Sequence, residues 1–298
     1  MTVLCIGKFD ALHRGHLALV EAAARVGQPV VLLRFSGMAE ALGWAARDPL
    51  VAECDRPRIL ARWTAALALA PDLTEVELPF TTVRYLEAAD FLVLIKARFT
   101  VTTVVVGEGF RGGRGRSAGA DVFRAAGHDL GIEVLTVPAV GDGEGVFSST
   151  RIRTLLAAGD VARAAILLGR RHRVLGTVVR GDGRGRSIGV PTANLGHRLN
   201  QIPGAGVYAA WADVAGQRLA AAVNIGQVPT AGAGRAQTVE AHLIGWSGDC
   251  YGQRLDLEFC ERIRDEQRFP DFPSLVAQIR CDIAEAARLT SVTASLGA

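Results

Sequence analysis

Hydrophobic residues in the first half of the chain fall in short, nearly unbroken runs, TVLCIG, PVVLLRF and TVVVG, with TEVELPF and EVLTV as further strand candidates. Between them lie HLALVEAAARVG, PRILARWTAALAL, AADFLVLIKARF and ADVFRAAGHDLG, longer stretches whose alanines and leucines recur at helical spacing. Strands that alternate with helices predict parallel pairing through crossovers, a doubly wound α/β domain. Unbroken apolar runs agree, because a parallel strand is covered on both faces.

From Ser149 the pattern predicts two short bridging helices, TRIRTLLAAG and DVARAAILLG, the second capped by Asp160. Beyond Arg170 the texture changes to brief runs between glycine clusters: RVLGTVV, GVYAAWADV, RLAAAVNIG, TVEAHLIGW and RLDLEF. That spacing predicts an antiparallel β-barrel. A last helix, SLVAQIRCDIAEAARL, aligns Leu275, Ile279, Ile283 and Ala287 on one stripe and is expected to pack on the barrel. With 298 residues and domains averaging about 150, two domains follow, residues 1–169 and 170–298.

Composition narrows the partners. The net charge is +3 and 21% of residues are charged, which excludes a polybasic nucleic-acid surface and points to small molecules. No apolar run reaches the roughly 18 to 20 residues that cross a bilayer, so no membrane partner is expected. Five scattered cysteines (Cys5, Cys54, Cys250, Cys260 and Cys281) without a CxxC pair argue against a zinc site or a disulfide framework. The N-terminus lacks the features of a secretory leader, and a cytoplasmic setting is the reading. Oligomeric state is left open.

In GKFDALHRGH, a strand ending in glycine is followed by a turn and a helix whose start carries His13 and His16. Free main-chain amides and the positive helix end attract an anion, and Gly15 lets phosphates approach the main chain. Two histidines without a third ligand make a poor metal site, whereas both rings can stabilise charge as pyrophosphate leaves a triphosphate. Downstream, FSSTRIR offers the hydroxyls of Ser149 and Thr150 and the guanidinium of Arg153 to phosphates, against the plain alternative of a capped helix start. GKFDALHRGH with SSTRIR resembles the nucleotidylyltransferases, in particular the FMN adenylyltransferase module of bacterial bifunctional riboflavin kinase/FAD synthetases. LPFTTVRYLEAADFL, VVVGEGFRGGRGRSAG and GDVARAAILLGR continue the likeness through most of residues 3–170. The resemblance implies that Gly7, Phe9, Asp10 and Gly15 belong with the ATP phosphates.

The second half centres on GTVVRGDGRGRSIGVPTANLG. Gly181 and Gly185 permit close approach of main chain to ligand, Arg186 can meet a phosphate, and the run is not a P-loop because no GKS or GKT follows. Thr192 and Asn194 supply hard oxygens suited to Mg²⁺ bound with nucleotide phosphates. With GVYAAW, VNIGQVPT, TVEAHL, GDCYGQRLDLEF and IRDEQRF, the pattern resembles riboflavin kinases from about Arg171 to Leu289. The resemblance implies that Glu240 is the general base, that Thr192 and Asn194 hold Mg²⁺, and that Arg264, Glu266 and Phe269 close over the flavin. His242 is given no role.

Riboflavin, FMN and ATP are therefore the expected small-molecule partners, with Mg²⁺ accompanying ATP. Several residues depart from the family pattern. Lys8 and Ala11 stand in the first motif, RFSGMAE replaces a proline and histidine motif, Gly109 replaces Asp or Asn, Gly112 an aromatic, and Val146 a basic residue. In the second half the departures are Val228, Ala231 and Cys250. Most fall where the base or flavin would lie, so a chain that acts as riboflavin kinase alone is the competing reading. A non-catalytic sensor on the same fold is a third, opposed by Glu240, Thr192 and Asn194.

Overall fold

The computed structural model describes residues 1–70, 72–181, 183–229 and 235–294. The chain forms two compact units, one of residues 1–47 and 53–149, the other of residues 48–52 and 150–298. The second therefore begins at Thr150, ahead of the division after Gly169 that the sequence pattern suggests. The physical reason is local: Gly204 N donates to Leu156 O at 2.7 Å, and the Tyr208 hydroxyl donates to Gly204 O at 2.6 Å, so the bridging helices are bonded to segments of the barrel unit.

The first unit runs β1 (Thr2–Ile6), α1 (Arg14–Ala24), β2 (Val30–Ser36), α2 (Met38–Ala41), α3 (Arg56–Ala66), β3 (Thr74–Pro79), α4 (Phe80–Val83), α5 (Ala88–Phe99), β4 (Val101–Gly107), α6 (Ala120–Asp129) and β5 (Glu133–Val137). A two-strand hairpin, β6 (Gly141–Asp142) with β7 (Gly145–Val146), follows. The five long strands lie in the order β3-β2-β1-β4-β5, all parallel, as the alternating pattern predicts. Val3 to Ile6 are all buried because helices cover both faces of β1. Leu4, Ile6, Leu33, Phe91, Leu92, Val104, Val106 and Phe123 make the core on one of those faces. The order reverses between β1 and β4, and ligands bind at such a switch point, outside the carboxyl ends of the strands. GKFDALHRGH follows β1 and GEGFRGGRGR follows β4, so both motifs open onto that crevice.

The second unit opens with α7 (Ser149–Ala157, its first residue belonging to the first unit) and α8 (Val161–Leu168), the latter capped by Asp160, whose Oδ1 accepts from Arg163 N at 3.0 Å. β8 (Arg173–Val179), α9 (Arg184–Ser187), β9 (Ala193–Gly196), β10 (Gly206–Val214), β11 (Gln217–Pro229), β12 (Arg235–Leu243), β13 (Arg254–Arg264) and α10 (Phe272–Ala294) follow. Among the described residues the strands close in the order β10-β11-β12-β9-β8-β13, every pairing antiparallel. The sequence pattern misses β9: four residues alternating buried and half-buried give too short a signal, yet they bridge β12 to β8 and complete the barrel. On α10, Ile283 and Leu289 join Ala286 against barrel residues Ala209, Ala222 and Cys260. Leu275 and Ile279, from the same predicted stripe, line a cavity instead.

Candidate active sites

In the first unit, the turn after β1 sets the phosphate site. Its left-handed residues are Phe9 (φ 47°) and Leu12 (φ 46°), so Ala11 occupies its glycine position without backbone strain. Phe9, placed by resemblance with the phosphates, has a wholly buried ring. That ring lies over Gly7, where a Cβ would sit 3.1 Å from it, and meets His16 edge-on at 5.0 Å between centroids. Its side chain therefore supports the site from behind. His13 precedes the first residue of α1, and its ring stacks on His16 with centroids 3.8 Å apart and planes 17° off parallel. His16 Nδ1 accepts from His13 N at 3.3 Å. The neutral His16 ring then carries its proton on Nε2, which is the donor edge of the ring.

Gly15 leaves room for the His13 ring, since a Cβ there would lie 2.9 Å from His13 Cε1; Phe147 O is at ordinary contact distance, 3.5 Å from the same point. The second distance brings the FSST segment against the start of α1, and Arg14 adds its guanidinium over the Phe147 ring at 5.3 Å. The two phosphate motifs of this half are thus neighbours through Phe147, with Ser149 two residues on. Asp10 is half-buried in the turn. Thr150 and Arg153 belong to the second unit. There Arg153 Nη1 donates to Asp48 O at 2.8 Å and Gln201 Oε1 at 2.7 Å, which ties residues 48–52 to the barrel unit. Arg153 is thus given a structural duty that its motif does not announce.

Beside the turn opens a cavity of about 570 Å³. Its floor is apolar (Ile6, Phe35, Phe91, Phe110 and Phe123) and its rim basic (Lys8, Arg84, Arg111, Arg114 and Arg116). The arginine loop turns sharply because Gly113 (φ 70°), Gly115 (φ 64°) and Arg116 (φ 61°) are left-handed. Burial and the nearby Arg116 charge push the Lys8 ammonium below its usual range. The family departures have distinct consequences here. Around Gly109 there is open space, whereas a Cβ at Gly112 would fall 2.8 Å from the Phe110 ring and 2.9 Å from that of Phe123. Val146 is exposed.

In the second unit, a cavity of about 590 Å³ gathers Gly185, Thr192, Asn224, Glu240, His242, Arg264, Glu266 and Phe269 with apolar residues of α10. The barrel register explains the convergence. Asn194 of β9 pairs with Glu240 of β12, which pairs on its other side with Asn224 of β11, so three oxygen-bearing side chains share one row and one face. Thr192 Oγ1 lies 3.5 Å from Glu240 Oε2. Gly181 presses on the Asn194 amide: a Cβ there would be 2.4 Å from Nδ2 and 2.7 Å from Oδ1. Gly185 similarly leaves space beside Val190 O and Thr192 Oγ1. Arg186 is exposed on α9. His242 shares the Glu240 face, and its Nδ1 is 2.8 Å from Pro191 O, an acceptor, so that nitrogen carries the proton.

Arg264, assigned by resemblance to the flavin, spends its charge within the protein. Its guanidinium pairs with buried Asp282 of α10 at 2.7 Å and lies 5.7 Å from the Phe269 ring centroid. Glu266 Oε1 stands over β11, 3.0 Å from where a Gly226 Cβ would be. Sequence reasoning gave Asn224 and Asp282 no role, because Asn224 is marked only by its register with Glu240 and Asp282 only by folding of α10 onto Arg264. Of the departures in this half, Cys250 is buried, the Val228 side chain is not described, and Ala231 lies outside the described residues.

Two family models match this chain in tandem, FAD synthetase over residues 1–151 and riboflavin kinase over residues 168–290. A bifunctional riboflavin kinase/FMN adenylyltransferase from Pseudomonas fluorescens is 35% identical, the match covering 98% of this chain and 94% of the relative. The chain belongs to the bifunctional riboflavin kinase/FMN adenylyltransferase family. A member from Escherichia coli K12 is 34% identical over 94% of this chain and 90% of its own length. FAD synthetase 1, chloroplastic, from Arabidopsis thaliana is 39% identical over 72% of this chain, and the match spans 65% of that longer relative. A solved structure described as a macrolide-efflux protein from Streptococcus pneumoniae superimposes with a TM-score of 0.84 at 27% identity, covering 94% of this chain and 92% of the other. Among the described residues no helix is long and apolar enough to cross a membrane.

Proposed function

We propose that this chain makes FAD in two steps, phosphorylating riboflavin with ATP in its barrel unit and adenylylating FMN with ATP in its α/β unit. The observation that carries the reading is the row Asn194, Glu240 and Asn224 with Thr192 beside it, in one unit, together with the stacked His13 and His16 at the sheet switch point of the other.

In the barrel, Glu240 takes the proton of the terminal ribityl hydroxyl, the oxygen attacks the γ-phosphorus of ATP, and ADP leaves. Thr192 and Asn194 offer hard, neutral oxygens that fit Mg²⁺ carried in with ATP, and Gly181 leaves the Asn194 amide the space that a side chain would take. When bound, that ion neutralises phosphate charge and aligns the γ-phosphoryl group. Asp282 and Arg264 fix the ring of Phe269 at the cavity, and Glu266 borders the same space.

In the α/β unit, an FMN phosphate oxygen attacks the α-phosphorus of ATP and pyrophosphate leaves. His16 Nε2, the amides at the start of α1 and the hydroxyl of Ser149 stabilise the charge that develops. The apolar cavity with its arginine rim suits a large planar ring that carries a phosphate. Free cysteines at positions 5, 54, 250, 260 and 281 accord with a reducing, cytoplasmic setting. Purified protein incubated with riboflavin, ATP and Mg²⁺ tests the reading: FMN followed by FAD supports it, and FMN alone reduces the chain to a kinase.

A further inference from the structure

The segment after β2 places Trp44 at the mouth of the first-unit cavity, where 47% of its surface is exposed. Such exposure is unusual for an indole that is also held. Trp44 N donates to Ala39 O at 2.8 Å and Leu42 N to Met38 O at 3.0 Å, so the segment is wound as a compact turn. Met38 and Leu42 line the same cavity, and Leu42 is 37% exposed. From the turn after β1, Lys8 Nζ lies 4.4 Å from the centroid of the indole ring. That contact orients the ring by cation–π attraction and links it to the loop that carries the phosphate site.

We propose that Trp44, seated by Lys8, is the residue that stacks on the flavin ring of FMN and sets the acceptor specificity of the α/β unit. The proposal rests on the adenylyltransferase reading given above. Three observations carry it. The cavity is apolar with a basic rim, so it accepts a large planar ring at its centre and a phosphate at its edge. Position 112 has no space for an aromatic side chain, because Phe110 and Phe123 already fill it; of the two exposed aromatic side chains on the cavity wall, Trp44 and Tyr85, the indole is the one met by a cation from the turn that carries the phosphate site, Tyr85 lying under its chain neighbour Arg84. Indole is electron-rich and the isoalloxazine ring electron-poor, which makes the flavin, in preference to the electron-rich adenine of ATP, the matched partner for offset stacking. The same contact would bury the exposed indole surface.

Trp44→Ala and Trp44→Phe variants of the full chain test this by steady-state kinetics of FAD formation from FMN and ATP. For Trp44→Ala, KM for FMN rises about tenfold while kcat and KM for ATP stay within about twofold, and Trp44→Phe recovers most of the loss. Lys8→Met gives a smaller rise, about threefold, in KM for FMN. Riboflavin phosphorylation by the same preparations stays at wild-type KM and kcat, which shows a folded barrel unit, and the unchanged kcat and KM for ATP in FAD formation show a folded α/β unit. An unchanged KM for FMN in Trp44→Ala, or an increase confined to ATP, overturns the stacking role. Equal losses in both activities overturn it also, by revealing a general structural role. If the unaltered chain makes FMN from riboflavin but no FAD from FMN, the adenylyltransferase reading itself fails and takes the proposal with it.

Discussion

The two cavities are nearly equal in volume, about 570 and 590 Å³, but they are built on different principles. In the barrel, the central groups stand on paired strands: Asn194, Glu240 and Asn224 are fixed by the registers of β9, β12 and β11. In the α/β unit, nearly every polar contributor comes from a connection after a strand: His13 and His16 after β1, Trp44 after β2, the arginine loop after β4. A change in a strand residue disturbs both neighbours, whereas a change in a loop can be absorbed locally. Of the family departures, Lys8, Ala11, Gly109 and Gly112 lie in connections of the first unit, whereas Val146 stands in the short strand β7 and Val228 in β11.

The largest expected break in this comparison is Glu240→Gln. It removes the base but keeps the shape, so riboflavin turnover falls about a thousandfold, while FAD formation from supplied FMN is unchanged; both are read by product chromatography. Next, His16→Ala removes a donor at the phosphate site, lowering FAD formation about a hundredfold with kinase activity intact. Gly181→Ala is a subtler test of the strand-based site. Its methyl group would have to displace the Asn194 amide, and KM for MgATP in the kinase reaction rises about tenfold. The smallest effect is on stability: Gly112→Ala overpacks the Phe110 and Phe123 pair, costing about 1–3 kcal/mol in chemical denaturation of the first unit and leaving the kinase reaction unaltered.

The sequence was most legible where periodicity is long or chemistry local. The parallel order of the sheet follows from unbroken apolar runs alternating with helices, and GKFDALHRGH announces itself by following a strand. The capping role of Asp160 is equally local. What escaped depends on distant pairing. β9 is four residues long and acquires meaning only between β12 and β8. Asn224 reads as one more polar residue in a strand until register sets it beside Glu240. Phe9 and Arg264 sit in the right motifs, yet burial of the one and pairing of the other with Asp282 turn both toward supporting the sites from within. Gly112, read from sequence as a lost aromatic, is a position that its neighbours have already filled.

The central claim is that both sites work and that they work separately. The most direct measurement is the time course of products from riboflavin, ATP and Mg²⁺ with the full chain, beside the same experiment on Glu240→Gln supplied with either riboflavin or FMN. Two working sites predict FMN and then FAD from the unaltered chain, no product from riboflavin with the variant, and normal FAD from FMN. Riboflavin recovered unchanged from the unaltered chain, or a variant that loses FAD formation from FMN as well, would contradict it.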